Sequence, residues 1–132
     1  MDSLQLVNRT KLFAHRCVKL ALSLPNSILG NHIKKQLIRC SSSVASNYRA
    51  ACLAQSKPSF IAKLSIVIEE ADESNFWLVF IKDENLLYSV SDELNLLISE
   101  SNELTAIFIA SRKTAQTKST NQSVIQSIIN SH

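Results

Sequence analysis

The chain has 132 residues, a net charge of +3, 45% hydrophobic residues, one glycine and two prolines. That length holds one domain, and folding hides roughly two-thirds of the chain's surface, enough for a core without metals or disulfides. Average proteins carry about 7% Gly and about 5% Pro, so folds that need many tight turns, β-sandwiches and α/β sheets among them, give way to long helices with few connections.

The first helical stripe lies in residues 4–24, where Leu6, Phe13, Cys17, Leu20 and Leu24 recur at steps of seven, four, three and four. Arg9, Lys11, Arg16 and Lys19 fall mostly off it. Pro25 ends this helix, because the residue before a proline is pushed out of the α region. Residues 25–31 form the first connection, with Gly30 as its glycine and Asn31 as the expected cap of the next helix. The second helix covers residues 32–54, with Ile33, Leu37, Cys40, Val44, Asn47 and Ala51 on its core stripe. Its middle is rich in small residues (Ser41, Ser42, Ser43, Ala45, Ser46), which let a neighbouring helix come close. Ser56 and Pro58 mark the next boundary as a cap and a first-turn proline.

The third helix covers residues 59–82. Ile61, Leu64, Ile68, Ala71, Asn75, Leu78 and Ile81 share a face, while Ile66, Phe76, Trp77 and Phe80 widen the apolar arc enough for two neighbours, the second of them another subunit. Ser91, Asp92 and Glu93 read as a cap followed by acids at a helix start. The fourth helix covers residues 92–112, with Leu94, Leu97, Ser101, Leu104 and Phe108 in register. From residue 114 the composition turns to Ser, Thr, Gln and Asn, which predicts a partly ordered or disordered tail over 114–132. Val124, Ile125, Ile128 and Ile129 keep helical spacing there, leaving a short docking helix as the alternative. The expected architecture is an all-α, antiparallel up-down-up-down four-helix bundle over residues 1–113 with a polar C-terminal tail.

Two stretches carry a family resemblance. The first is Ser43-Val44-Ala45-Ser46-Asn47-Tyr48-Arg49-Ala50. The second is Phe60-Ile61-Ala62-Lys63-Leu64-Ser65-Ile66 followed by Glu69-Glu70-Ala71-Asp72-Glu73-Ser74-Asn75-Phe76-Trp77-Leu78. Together they resemble the bacterial four helix bundle proteins encoded in intervening sequences of 23S ribosomal RNA genes, relatives of the accessory variability determinant proteins of diversity-generating retroelements. The resemblance covers residues 6–112. It implies a small bundle that assembles as a homo-oligomer, often a ring-shaped pentamer, and in the retroelement branch a basic surface that binds nucleic acid and the reverse transcriptase. Many relatives read Asn-Ile-Ala-Glu-Gly where this chain reads Asn47-Tyr48-Arg49-Ala50-Ala51. That departure matches one subgroup and removes any role carried by the Glu-Gly pair.

No reaction centre emerges from the sequence. Glu69, Glu70 and Glu73 cluster on the third helix, but a di-iron bundle needs Glu-x-x-His pairs, which are absent, and His15, His32 and His132 have no carboxylate at that spacing. These acids read instead as a solvated face bridged to Arg39, Arg49 or Lys63. One glycine rules out a Gly-rich phosphate loop. Cys17, Cys40 and Cys52 are odd in number, lack C-x-x-C spacing, and read as free thiols in a reducing compartment. The expectation is a non-enzymatic protein with no metal and no cofactor. With no signal-peptide pattern and no apolar run of about 18 residues, it is expected to be cytoplasmic, with no membrane partner.

Function then falls to surfaces. Arg16, Lys19, Lys34, Lys35, Arg39 and Arg49 are the candidate contacts for RNA or DNA. Asn47 and Asn75 are the candidate polar core, fixing helix register. Phe76, Trp77 and Phe80 are the candidate oligomer interface; with Tyr48 they also offer stacking surfaces, although their spacing beside Leu78 and Ile81 favours packing. The alternative to a nucleic-acid partner is a protein partner, met by an assembly module with no nucleic acid.

Overall fold

The structure is a computed structural model that describes residues 1–87 and 92–131. Four helices make up the described residues: α1 (Ser3–Leu22), α2 (Ile28–Cys52), α3 (Lys57–Asp83) and α4 (Asp92–Asn130). Each starts or stops where local chemistry dictates. Asp2 caps α1 in a capping box: the Gln5 backbone N–H donates to the Asp2 carboxylate at 2.8 Å, and the Asp2 N–H donates to the Gln5 side chain at 3.0 Å. Ser56 caps α3 and Pro58 lies in its first turn, as the sequence indicates.

α2 starts earlier than its sequence suggests. Ser27, not Asn31, is the cap, accepting the Gly30 N–H at 3.0 Å. Gly30 therefore sits inside the first turn of α2. Its need is space: a Cβ built there would lie 2.0 Å from the Pro25 carbonyl oxygen. At the far end of α3 the chain leaves through Asn85, whose φ of 53° is left-handed. The Asn85 N–H donates to the Lys82 carbonyl and the Leu86 N–H to the Ile81 carbonyl, so two terminal carbonyls of α3 are satisfied by the exit itself. The expected cap at Ser91 lies outside the described residues.

α4 differs most from expectation. It does not stop near Arg112 but runs 39 residues to Asn130, about 58 Å at 1.5 Å per residue. Nothing between residues 113 and 118 breaks a helix, and Ala115 is still buried, one heptad past Phe108 on the stripe that holds Leu94, Ser101 and Phe108. The bundle therefore retains α4 beyond the point where composition turns polar.

Consecutive helices pack along their lengths, and α1 closes the ring against α4 over a smaller area. The short connections alternate their directions. Phe13, Ile33, Leu37, Leu64, Leu78, Ile81, Leu97, Leu104 and Phe108 are fully buried at the centre. Tyr48, not Asn47, completes the α2 stripe; its ring lies 5.0 Å from that of Phe108. Cys17 and Cys40 are buried and Cys52 is exposed, all three as free thiols. Loss of solvent pushes the Cys40 thiol up to about 11 and raises Cys17 as well. None of the described helices is long and apolar enough to cross a membrane.

Candidate nucleic-acid interface

Charge is divided along the chain. Eight of the fourteen Lys and Arg residues precede residue 57, but only one of the eleven Asp and Glu residues, Asp2, does. The α1–α2 half is thus strongly basic and the α3–α4 half acidic. Where the halves meet, arginines are neutralised. Arg9 on α1 makes a forked pair with Glu100 on α4 (2.8 and 2.6 Å) and reaches Glu103 at 3.0 Å. Arg16 pairs with Glu93 on α4, and Arg39 on α2 pairs with Glu70 at 3.2 Å and with Glu73 on α3. Hydrogen bonds to these carboxylates hold Arg9 and Arg16 above the usual arginine range; for Arg39 partial desolvation works the other way and the Glu73 and Glu70 contacts outweigh it. Two candidate nucleic-acid contacts, Arg16 and Arg39, are therefore spent on internal ion pairs.

The remaining cations face elsewhere. A groove of about 460 Å³ runs along the α1–α2 seam, lined by Val7, Asn8, Lys11, Ala14 and His15 from α1 and by Ser42, Ala45, Ser46 and Arg49 from α2. Helical spacing continues both walls: Lys19 lies one turn beyond His15, and Lys35 lies two turns before Ser42 on the same face. Lys11, His15, Lys19, Lys35 and Arg49 are all exposed, and no carboxylate among the described residues pairs with them. The α2 wall from Lys35 to Arg49 spans about 21 Å at 1.5 Å per residue. Three of the small residues the sequence places in the middle of α2, Ser42, Ala45 and Ser46, line the groove. Lys34 lies to one side, half-buried, donating to Asn31 at 3.3 Å. Lys11 and His15 are absent from the sequence-based candidates, although the near-absence of acids before residue 57 marks their whole half.

Residues 2–110 match the family of 23S rRNA-intervening sequence proteins. The chain belongs to this family. A structure from Bacteroides thetaiotaomicron VPI-5482, a protein with unknown function from the S23 ribosomal protein family, is 30% identical and has a TM-score of 0.72 to this chain, covering 81% of it and 97% of its own length. No protein of curated function matches.

The other candidate positions separate. Phe76, Trp77 and Phe80 form one cluster on α3, with centroids 4.9 to 5.8 Å apart, and His32 of α2 meets the Trp77 ring edge-on at 5.4 Å. Phe76 is 53% exposed, and the buried Trp77 indole N–H has no acceptor among the described residues. Asn75 joins α3 to α4, donating to Ser101 Oγ at 2.9 Å and to Asn102 Oδ1 at 3.1 Å. Asn47 does not meet it. Its amide donates back to Ser43 of its own helix, at 3.0 Å to the carbonyl and 2.8 Å to the hydroxyl. Glu70 and Glu73 meet Arg39, while Arg49 and Lys63 take no part in that network.

Proposed function

We propose that this chain is a non-enzymatic accessory protein that binds nucleic acid as a homo-oligomer, using the α1–α2 seam. The observation that carries the reading is the row of five exposed basic side chains, Lys11, His15, Lys19, Lys35 and Arg49, none neutralised by a carboxylate. Phosphate contact needs positive charge in an accessible row, and each neutralised phosphate releases counterions. The groove's hydroxyls are engaged with their own helix, Ser42 with the Ile38 carbonyl at 2.7 Å and Ser46 with the Ser43 carbonyl at 3.3 Å. That supports binding over nucleophilic chemistry. The aromatic cluster on α3, with Phe76 exposed and Trp77 and Phe80 half-buried beside it, supports assembly through α3, with copies of the chain as the first partner.

The test is a fluorescence anisotropy titration against structured RNA and DNA at several salt concentrations. The expected result is micromolar binding that weakens as salt rises. Lys11→Ala, Lys19→Ala and Arg49→Ala each reduce the slope of log K against log salt by about 1, and Arg16→Ala, which removes an ion-paired cation, changes it less. Absence of salt-sensitive binding at micromolar protein overturns the reading. A pull-down that recovers a protein partner unaffected by nuclease favours the second reading, an assembly module with no nucleic acid, for which the α3 cluster is the specific support.

A further inference from the structure

The family match ends at residue 110, yet α4 continues to Asn130. This extension carries Val124, Ile125, Ile128 and Ile129, each 53 to 60% exposed. A lone helix of about 15 residues is marginal in water even with strong helix formers, and this one is built largely from Ser, Thr, Asn, Val and Ile, which are weaker ones. The extension therefore needs a cover, which its own bundle does not supply.

The cover is indicated by what lies at its base. A groove of about 490 Å³ is lined by Lys57 and Phe60 from α3 and by Ile107, Ala110, Ser111, Thr114, Ala115 and Lys118 from α4. Ile125 lies 18 residues after Ile107, about five turns at 3.6 residues per turn, so both point the same way from the helix. Ile128 and Ile129 flank that line on either side, as Ala110 and Ser111 flank Ile107. One face of α4 thus carries an apolar groove at one end and a projecting apolar stripe at the other. A second α4 laid antiparallel on that face matches stripe to groove twice, the self-complementary arrangement of a two-fold interface.

We propose that the α4 extension pairs two copies of this chain antiparallel, with Ile125, Ile128 and Ile129 of each copy covering the groove of Phe60, Ile107 and Ala110 in the other. Residues 119–131 contain no charged side chain, so nothing in the stripe calls for a charged partner or repels its own copy. The two strips meet over about 36 Å of helix and about 10 Å of width, about 360 Å² on each copy, which is less than a permanent dimer buries and suits a weak, transient contact. Pairing is therefore concentration-dependent. Lys118 falls beside the two-fold axis, its stem over apolar surface and its charge in water. The two Lys118 charges, one from each copy, repel across the axis; added salt screens them and tightens the pairing, the opposite sign to nucleic-acid binding. The inference does not depend on the α1–α2 seam.

The experiment is light scattering on the full chain across a concentration series. Wild type is expected to reach twice the mass of the Ile125→Asp/Ile128→Asp double variant, and of the groove-side Ala110→Arg variant, at the same concentration. Equal masses for all three overturn the proposal, as does a groove-side variant that keeps the wild-type mass. Should a variant fail to fold, Lys118→Cys in a Cys52→Ser background decides the matter. Mild oxidation is expected to give a covalent dimer, and its absence at concentrations where wild type is paired overturns the antiparallel arrangement.

Discussion

Cys40 shows how burial turns a side chain into a condition on stability. Its thiol ionises near 9 in the unfolded chain and is pushed up to about 11 in the bundle, chiefly by desolvation. The folded state thus holds its proton more tightly, and the contribution is complete below about pH 9 and is lost as pH rises towards 11. At about 1.4 kcal/mol per pKa unit the loss is on the order of 2 kcal/mol. The thermal midpoint of wild type is expected to fall between pH 9 and 11 more steeply than that of Cys40→Ala, measured by circular dichroism; parallel curves would contradict the assignment. The odd cysteine count and missing C-x-x-C already indicate free thiols. That Cys52 differs from the other two in being exposed follows from the helix ending there, a boundary the periodicity does not fix.

At the scale of elements the weakest seam is α1 against α4, where contact is least and two arginines, Arg9 and Arg16, bridge to carboxylates of α4. Arg9 and Glu100 are each four-fifths buried at their side chains, so their forked pair is worth more than a surface pair of 0 to about 1 kcal/mol. Arg9→Ala leaves Glu100 without its main partner and is expected to cost about 1 to 2 kcal/mol. Arg16→Ala, at a more exposed pair, is expected to cost under about 1 kcal/mol. Urea titrations of the two variants at equal salt check the order. Much of this framework is legible in the sequence, because the stripes of α3 and α4 have unbroken three-and-four steps, that of α1 departs from them only at Leu6 to Phe13, and Ser56 and Pro58 punctuate clearly. The start of α2 is not, since Ser27 and Asn31 are equally good caps and the choice depends on how closely Gly30 approaches the Pro25 carbonyl. Asn47 and Tyr48 are one residue, about 100° of helix, apart, and only the presence of Phe108 across the bundle puts the tyrosine inside. The site is half legible for the same reason. Sequence shows that Arg16 and Arg39 are basic, but their carboxylate partners lie 77 and 31 or more residues away.

At the scale of the whole molecule, the order of charges in the chain becomes their order in space. An up-down bundle keeps α1 beside α2 and α3 beside α4, so a sequence basic before residue 57 and acidic after it folds into an object with a positive side and a negative side. Such a body has a large electric dipole moment. Near a polyanion it experiences a torque as well as a pull, and it turns its α1–α2 side forward before any contact forms. For the proposed nucleic-acid partner, orientation would then be settled during approach, and that part of docking removed from the search at the surface. The association rate for a nucleic acid is accordingly expected to fall steeply with ionic strength in stopped-flow measurements. Charge-neutralising changes on the exposed acids of α3, far from the seam, are expected to alter that rate by weakening the torque while leaving the dissociation rate nearly unchanged.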